Sequence, residues 1–175
     1  MAKTYNTIGT FTAGQVLTAA EMNELGENSN NYRVPPMVKC RYASGTTLLN
    51  GNLITIGWNA ADDYDTDSMH DPATNNSRIT INTDGIYLVT FALYATSAFT
   101  NTLEQIIRLD GSTRVADSSM DAGAAQGYGF TQTLHISLTA GQYLEAQVFH
   151  ASGANKTPQT TPPCFFAAAW IGQAS

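Results

Sequence analysis

From Met37 onward, apolar and polar residues alternate in short runs separated by Gly, Pro, Asn and Asp, the period-2 pattern of half-buried strands. Residues 78–96 show it most clearly. Ile79 and Ile81 alternate with Thr80 and Asn82, and Asp84-Gly85 supplies a tight turn. In the arm that follows, Ile86, Leu88, Thr90, Ala92 and Tyr94 share one face, and Tyr87, Val89, Phe91 and Leu93 share the other. An arm apolar on both faces must be covered on both, inside a sandwich or at a subunit contact. The pattern predicts a hairpin of these two arms.

Further strands are expected over 37–43, 47–49 and 52–58 (joined by Asn50-Gly51), 103–109 and 113–118 (joined by Asp110-Gly111), 127–138, 143–150 and 164–172. This makes roughly eight to ten antiparallel strands at regular spacing, which predicts an all-β antiparallel sandwich or jelly roll. The first 35 residues differ. Thr18-Ala19-Ala20-Glu21 fits a capping box, in which hydroxyl and carboxylate satisfy free N–H groups at a helix start. The helix would carry Met22 and Leu25 for two or three turns and run into Gly26 and a polar tract; alone it would be marginal. Pro35-Pro36 marks the boundary between a 1–35 N-terminal helical and extended anchor segment and a 36–175 β-domain.

Composition adds two constraints. Charged residues make up 13% of the 175-residue chain, against roughly 25% in ordinary globular proteins. A neutral polar surface suits β-structure that meets copies of itself, because little fixed charge must be desolvated. The net charge of −6 and the scattered Lys and Arg argue against nucleic acid and against an anionic membrane. No segment has the pattern of a signal peptide or the length for membrane insertion, so synthesis in a cytosol is expected. Cys40 and Cys164 fall in the first and last predicted strands and are read as two buried free thiols, close together if those strands are neighbours.

Three groups of residues carry a resemblance. Tyr64-Asp65-Thr66 precedes a polar loop, Arg78-Ile79-Thr80-Ile81 and Gly85-Ile86-Tyr87-Leu88-Val89-Thr90-Phe91; residues 136–148 then read ISLTAGQYLEAQV, and 165–172 read FFAAAWIG. Their order and spacing resemble the globular head of C1q and its tumour-necrosis-factor-like relatives, over roughly 37–172. Gln142 stands where that family usually has an acidic residue, and no collagenous Gly-x-y stem is present, so complement and cytokine functions are not carried over. The resemblance implies a ten-strand jelly roll that forms a homotrimer about an apolar axis. Tyr87, Phe91, Tyr94, Phe166 and Trp170 are the expected trimer contacts.

A second resemblance lies in residues 11–23, FTAGQVLTAAEMN, which look like a leader of structural and tail-associated proteins of tailed bacteriophages. It implies attachment to other virion proteins through Phe11, Val16, Leu17, Met22 and Leu25. The two resemblances together imply a non-enzymatic virion protein, trimeric and displayed on the particle as a tail-fibre tip or head fibre. A capsid decoration protein and a calcium-dependent module for host surface glycan are the alternatives.

Candidate chemistry is sparse. Asp63, Asp65 and Asp67 copy the first alternating ligands of a calcium loop, but Ser68 and Thr74 stand where an EF-hand needs Gly and Glu. Relatives of this head sometimes bind calcium, which leaves a looser calcium site open beside a solvated acidic loop. His70, His135 and His150 lack zinc spacing, although His135 and His150 would meet if their strands were neighbours. Neither a nucleophile elbow nor a phosphate-binding loop is present, and no acid sits in an apolar context that would tune it as a proton donor. No catalytic residue and no cofactor are assigned. The polar loops 97–102, 119–126 and 151–161 are the candidate recognition surfaces.

Overall fold

The alternating runs form ten strands, all in antiparallel pairs, in a computed structural model of the protein that describes residues 3–6, 9–121 and 129–174. Residues 122–126 of the loop 119–126 and the first two residues of the expected strand 127–138 lie outside the described residues. The strands are β1 (Met37–Arg41), β2 (Ile54–Thr55), β3 (Tyr64–Asp65), β4 (Arg78–Thr80), β5 (Gly85–Ala92), β6 (Thr102–Leu109), β7 (Thr113–Asp121), β8 (Thr131–Leu138), β9 (Tyr143–His150) and β10 (Phe165–Gly172). One sheet has the order β3-β1-β10-β5-β8. The other runs β2-β9-β6-β7, with β4 also paired to β9.

Between the sheets, alternate residues interlock into one core. Val38 and Cys40 of β1, Tyr87, Val89 and Phe91 of β5, and Phe166 and Ala168 of β10 meet Leu144, Ala146 and Val148 of β9 and Leu103 and Ile107 of β6. At its centre Phe91, Phe166 and Trp58 lie with ring centroids 5.8–6.1 Å apart. The core face of β5 is therefore the one carrying Tyr87, Val89 and Phe91.

Three turns differ from the sequence expectation. Asp84-Gly85 does not close a hairpin, because β4 pairs with β9 whereas β5 pairs with β10 and β8. The chain crosses between sheets there because nearby groups have other partners. Ile81 exchanges backbone hydrogen bonds with Gly141 and Gln142, and the Thr83 carbonyl accepts from the buried Tyr87 hydroxyl at 2.6 Å. Asn50-Gly51 does turn, with Gly51 at φ +73, but its flanks pair with Lys156 and with β9 rather than with each other. The turn at Gly141 likewise crosses sheets. His135 is exposed on β8, while His150 is buried on β9 with Nε2 2.9 Å from the Leu48 carbonyl, so the two do not meet. Asp110-Gly111 makes its hairpin, both residues at positive φ in a three-residue loop between Leu109 and Thr113.

The helix α1 (Ala19–Arg33) begins at the expected capping box and continues through Gly26 for 15 residues, longer than expected. Its extra turns are held from outside: Asn28 exchanges hydrogen bonds with the Asn6 backbone at 2.8 and 2.9 Å. No helix among the described residues is long and apolar enough to cross a membrane.

Candidate functional site

Because β5 buries Tyr87 and Phe91, its opposite face turns outward. Ile86, Leu88 and Thr90 stand there half-exposed beside Ala167 and Ala169 of β10 and Met37 of β1. Register lines up Met37, Ala169 and Leu88 across three adjacent strands. Ala167 and Ala169 are the small residues of β10 on this face, and Lys39 and Arg41 lie beside it on β1. This corrects the expected trimer contacts. Tyr87, Phe91 and Phe166 have no accessible surface, so none can meet a sister subunit without opening the sandwich, and Trp170, 5% exposed, is covered by Tyr5 and Tyr32. A period-2 pattern names two faces without saying which is inner. Tyr94 is half-buried two residues beyond β5, its backbone N–H donating to Cys164 Sγ at 3.1 Å.

The N-terminal segment packs on one end of the sandwich. Tyr5 stacks on Trp170 at 4.5 Å and 4°, and Tyr32 of α1 meets both rings. Lys3 donates its backbone N–H to the Thr83 hydroxyl at 2.8 Å. Burial pushes the Tyr5 phenol up to about 12, with Tyr32 and Asp67 adding to the rise. Thr18 donors hold the Glu21 carboxyl below its ordinary range, which keeps it charged for capping. The expected anchor residues divide. Phe11, Val16 and Met22 are exposed, Val16 by 86%, while Leu17 and Leu25 are half-buried.

The acidic loop is internally bonded. Asp63 pairs with Lys39 at 3.0 Å and Arg41 at 2.8 Å. Asp65 accepts from the backbone N–H groups of Asp67, Met69 and His70 at 2.9–3.1 Å. Asp67 accepts from the Thr83 hydroxyl at 2.8 Å, and burial raises its carboxyl above the usual range. Among the described residues the three carboxylates do not gather into a metal-holding group. Thr66 donates to the Pro35 carbonyl at 2.6 Å and accepts from Met37 N–H. The Tyr64-Asp65-Thr66 segment thus staples the loop to β1. Asp65→Ala removes a charged acceptor from three N–H groups and should cost about 2–3 kcal/mol, read as a lower urea midpoint, whereas Asp65→Asn should keep part of it.

A different group does converge. Cys40 Sγ, a carboxylate oxygen of Asp62 and a ring nitrogen of His70 lie within 4.8 Å of one another. Sequence reading missed it because Cys40 comes from β1 and the other two from the loop across it. The available signals were Cys40 on the inward face of its strand and His70 beside the acidic run. Burial, reinforced by Asp62 and Asp65, pushes the Cys40 thiol well up. Cys164 is also free and buried. Next to the cluster, Ser68, His70, Asp71, Thr74, Asn75 and Arg78 line an open concavity of about 570 Å³. At the far end, loops 97–102 and 151–161 form one surface, through Thr100 to Ser152 and Asn101 to Ala151 hydrogen bonds at 3.1 Å.

Solved structures share this architecture. The globular domain of zebrafish complement 1qA superposes with a TM-score of 0.58 at 11% identity, covering 79% of this chain and 99% of that one. Murine APRIL at pH 5.0 gives 0.60 at 11% identity, covering 78% and 98%. The fold is a C1q/TNF-like jelly roll. No protein-family pattern and no curated protein matches the sequence.

Proposed function

We propose that this is a non-enzymatic structural protein of a tailed-phage virion, a homotrimer displayed on the particle as a tail-fibre or adhesin-like tip or as a head fibre. The observation that carries the reading is an ordered N-terminal segment with an unburied apolar surface. Phe11, Val16 and Met22 are exposed on a stretch braced internally by the capping box and the Asn6–Asn28 bonds, and held to the head by the Tyr5–Trp170 stack and the Lys3–Thr83 hydrogen bond. Such residues gain about 25 cal/mol per Å² of apolar area when a partner covers them. The bacteriophage-like leader in 11–23 supports another virion protein as that partner. Homotrimeric assembly of C1q and TNF heads supports the trimer, with the outward Met37–Ala169–Leu88 face as its contact. The loop surface 97–102 and 151–161 then points away as the display end.

Leu88→Asp should leave a folded protomer that elutes as a monomer in light scattering, since the residue lies outside the core. Val16→Asp with Met22→Asp should give a folded protein absent from purified particles. Wild-type protein that is monomeric at micromolar concentration, or incorporation undiminished in the double variant, would remove the corresponding half of the reading. Removing residues 1–35 is a poorer test, because it strips Tyr5 and Tyr32 from Trp170. Location separates the finer readings: the capsid lattice points to decoration, the tail tip to attachment.

A host surface glycan is the second reading. It is favoured by the polar concavity beside Arg78, whose guanidinium lies 4.0 Å from the Tyr143 ring centroid. Binding to a glycan array, with and without chelator, tests it together with any calcium dependence.

A further inference from the structure

We propose that Cys40, Asp62 and His70 form a zinc-binding site. The three ligand atoms lie within 4.8 Å of one another, and His70 Nδ1 sits 2.9 and 3.1 Å from the two Asp62 oxygens. Tetrahedral zinc ligands stand about 3.3–3.7 Å apart, so the Asp62–His70 pair opens by a few tenths of an ångström and Cys40 Sγ closes by up to about 1 Å to admit the ion. The second ring nitrogen of His70, Nε2, is 3.2 Å from the Asn76 carbonyl. A ring N–H donated to a backbone carbonyl is the arrangement that aims the opposite nitrogen at a metal. Asp65, through the His70 backbone N–H, fixes the segment that carries the ring.

The donor set selects the ion. Thiolate, imidazole and one carboxylate suit zinc, whereas calcium takes six to eight oxygens. Thiolate and carboxylate together neutralise the divalent charge, which favours the ion where the His70 side chain has no exposure. Asp62 retains 13% exposure and gives the way in, with water or its second oxygen completing the shell. Binding displaces the thiol proton and so releases acid. The ion would bridge β1 to the loop that lines the 570 Å³ concavity. The inference is independent of virion attachment and of trimer formation.

The experiment uses the full, untagged chain, freed of metal with chelator and titrated with cobalt(II), then zinc(II). One cobalt per chain should bind with a thiolate-to-metal charge-transfer band, and zinc should abolish that band. Cys164→Ser should keep the band, His70→Gln and Cys40→Ser should lose it, and Asp62→Asn should weaken binding about tenfold or more. A folded wild-type protein with no band, or a band that survives Cys40→Ser, overturns the proposal and leaves a hydrogen-bonded cluster. Should Cys40→Ser fail to fold, the wild-type, Cys164→Ser and His70→Gln titrations decide alone: a band that persists in His70→Gln also overturns the site.

Discussion

Phe91→Asp should yield no soluble folded protein. The ring lies 5.9 Å from Trp58 and 6.1 Å from Phe166, with no accessible surface. Truncating such a side chain to Ala costs about 3–5 kcal/mol from lost transfer and cavity terms. An uncompensated carboxylate at the same depth costs several kcal/mol more, or it must take up a proton. Domains of this size are stable by about 5–15 kcal/mol, so the sum removes most or all of the margin. Phe91→Leu, which keeps apolar volume, should fold with a reduced urea midpoint. The pair separates a core position from an assembly position, because Leu88→Asp, three residues earlier on the other face, should fold and lose only oligomerisation. A soluble, cooperatively unfolding Phe91→Asp protein would mean that this face is not the inner one.

Gly85→Ala should destabilise by about 3 kcal/mol or more, an unusual cost for one methyl. A Cβ there would stand 2.0 Å from Trp170 Nε1 and 2.7 Å from the Gly172 carbonyl oxygen. The Gly172 oxygen belongs to the backbone of β10, so it has little freedom to yield. Trp170 must then move, which breaks its 3.1 Å hydrogen bond to the Asp84 carbonyl and its stack on Tyr5. Two losses thus accompany the clash, one inside the head and one at the N-terminal segment. Urea unfolding with tryptophan emission measures both. The combination Gly85→Ala with Trp170→Phe should cost less than the two single changes added, since a smaller ring makes room. Strict additivity would show that the glycine serves the turn and not the indole.

Which parts of this molecule could be read from sequence depended on the range of the interaction. The capping box at Thr18 and Glu21, the Asp110-Gly111 hairpin and the alternation along β5 and β9 are set by residues a few positions apart, and all are present. Sheet membership is not local. Asp84-Gly85 has hairpin chemistry, yet the pairing of Ile81 with the Gly141 turn and of Trp170 with Asp84 carries its two arms into different sheets. The same limit affected the contact surface. Alternation gave both faces of β5, and only the position of Trp58 and Phe166 decides which is inner. The Cys40, Asp62 and His70 cluster was least legible, because it depends on how a long loop folds back over β1. For Asp65 the sequence left a calcium ligand and an acidic-loop residue both open; in the fold it is a loop acceptor that uses its oxygens on backbone N–H groups.

The way the chain leaves its N-terminal segment also has a mechanical consequence. Residues 3–35 join the head at Pro36, whose carbonyl accepts from the Trp170 N–H at 2.9 Å, and β1 follows directly. This strand is not at a sheet edge: β3 flanks it on one side and β10 on the other, the latter over five residue pairs. If the segment is an anchor, tension on it would therefore enter the interior of the sheet. Drawn along β1, it loads both ladders in shear, and the bonds must yield together instead of peeling one by one. The Tyr5–Trp170–Tyr32 stack would carry part of the same pull straight into β10, a second connection between the segment and the domain.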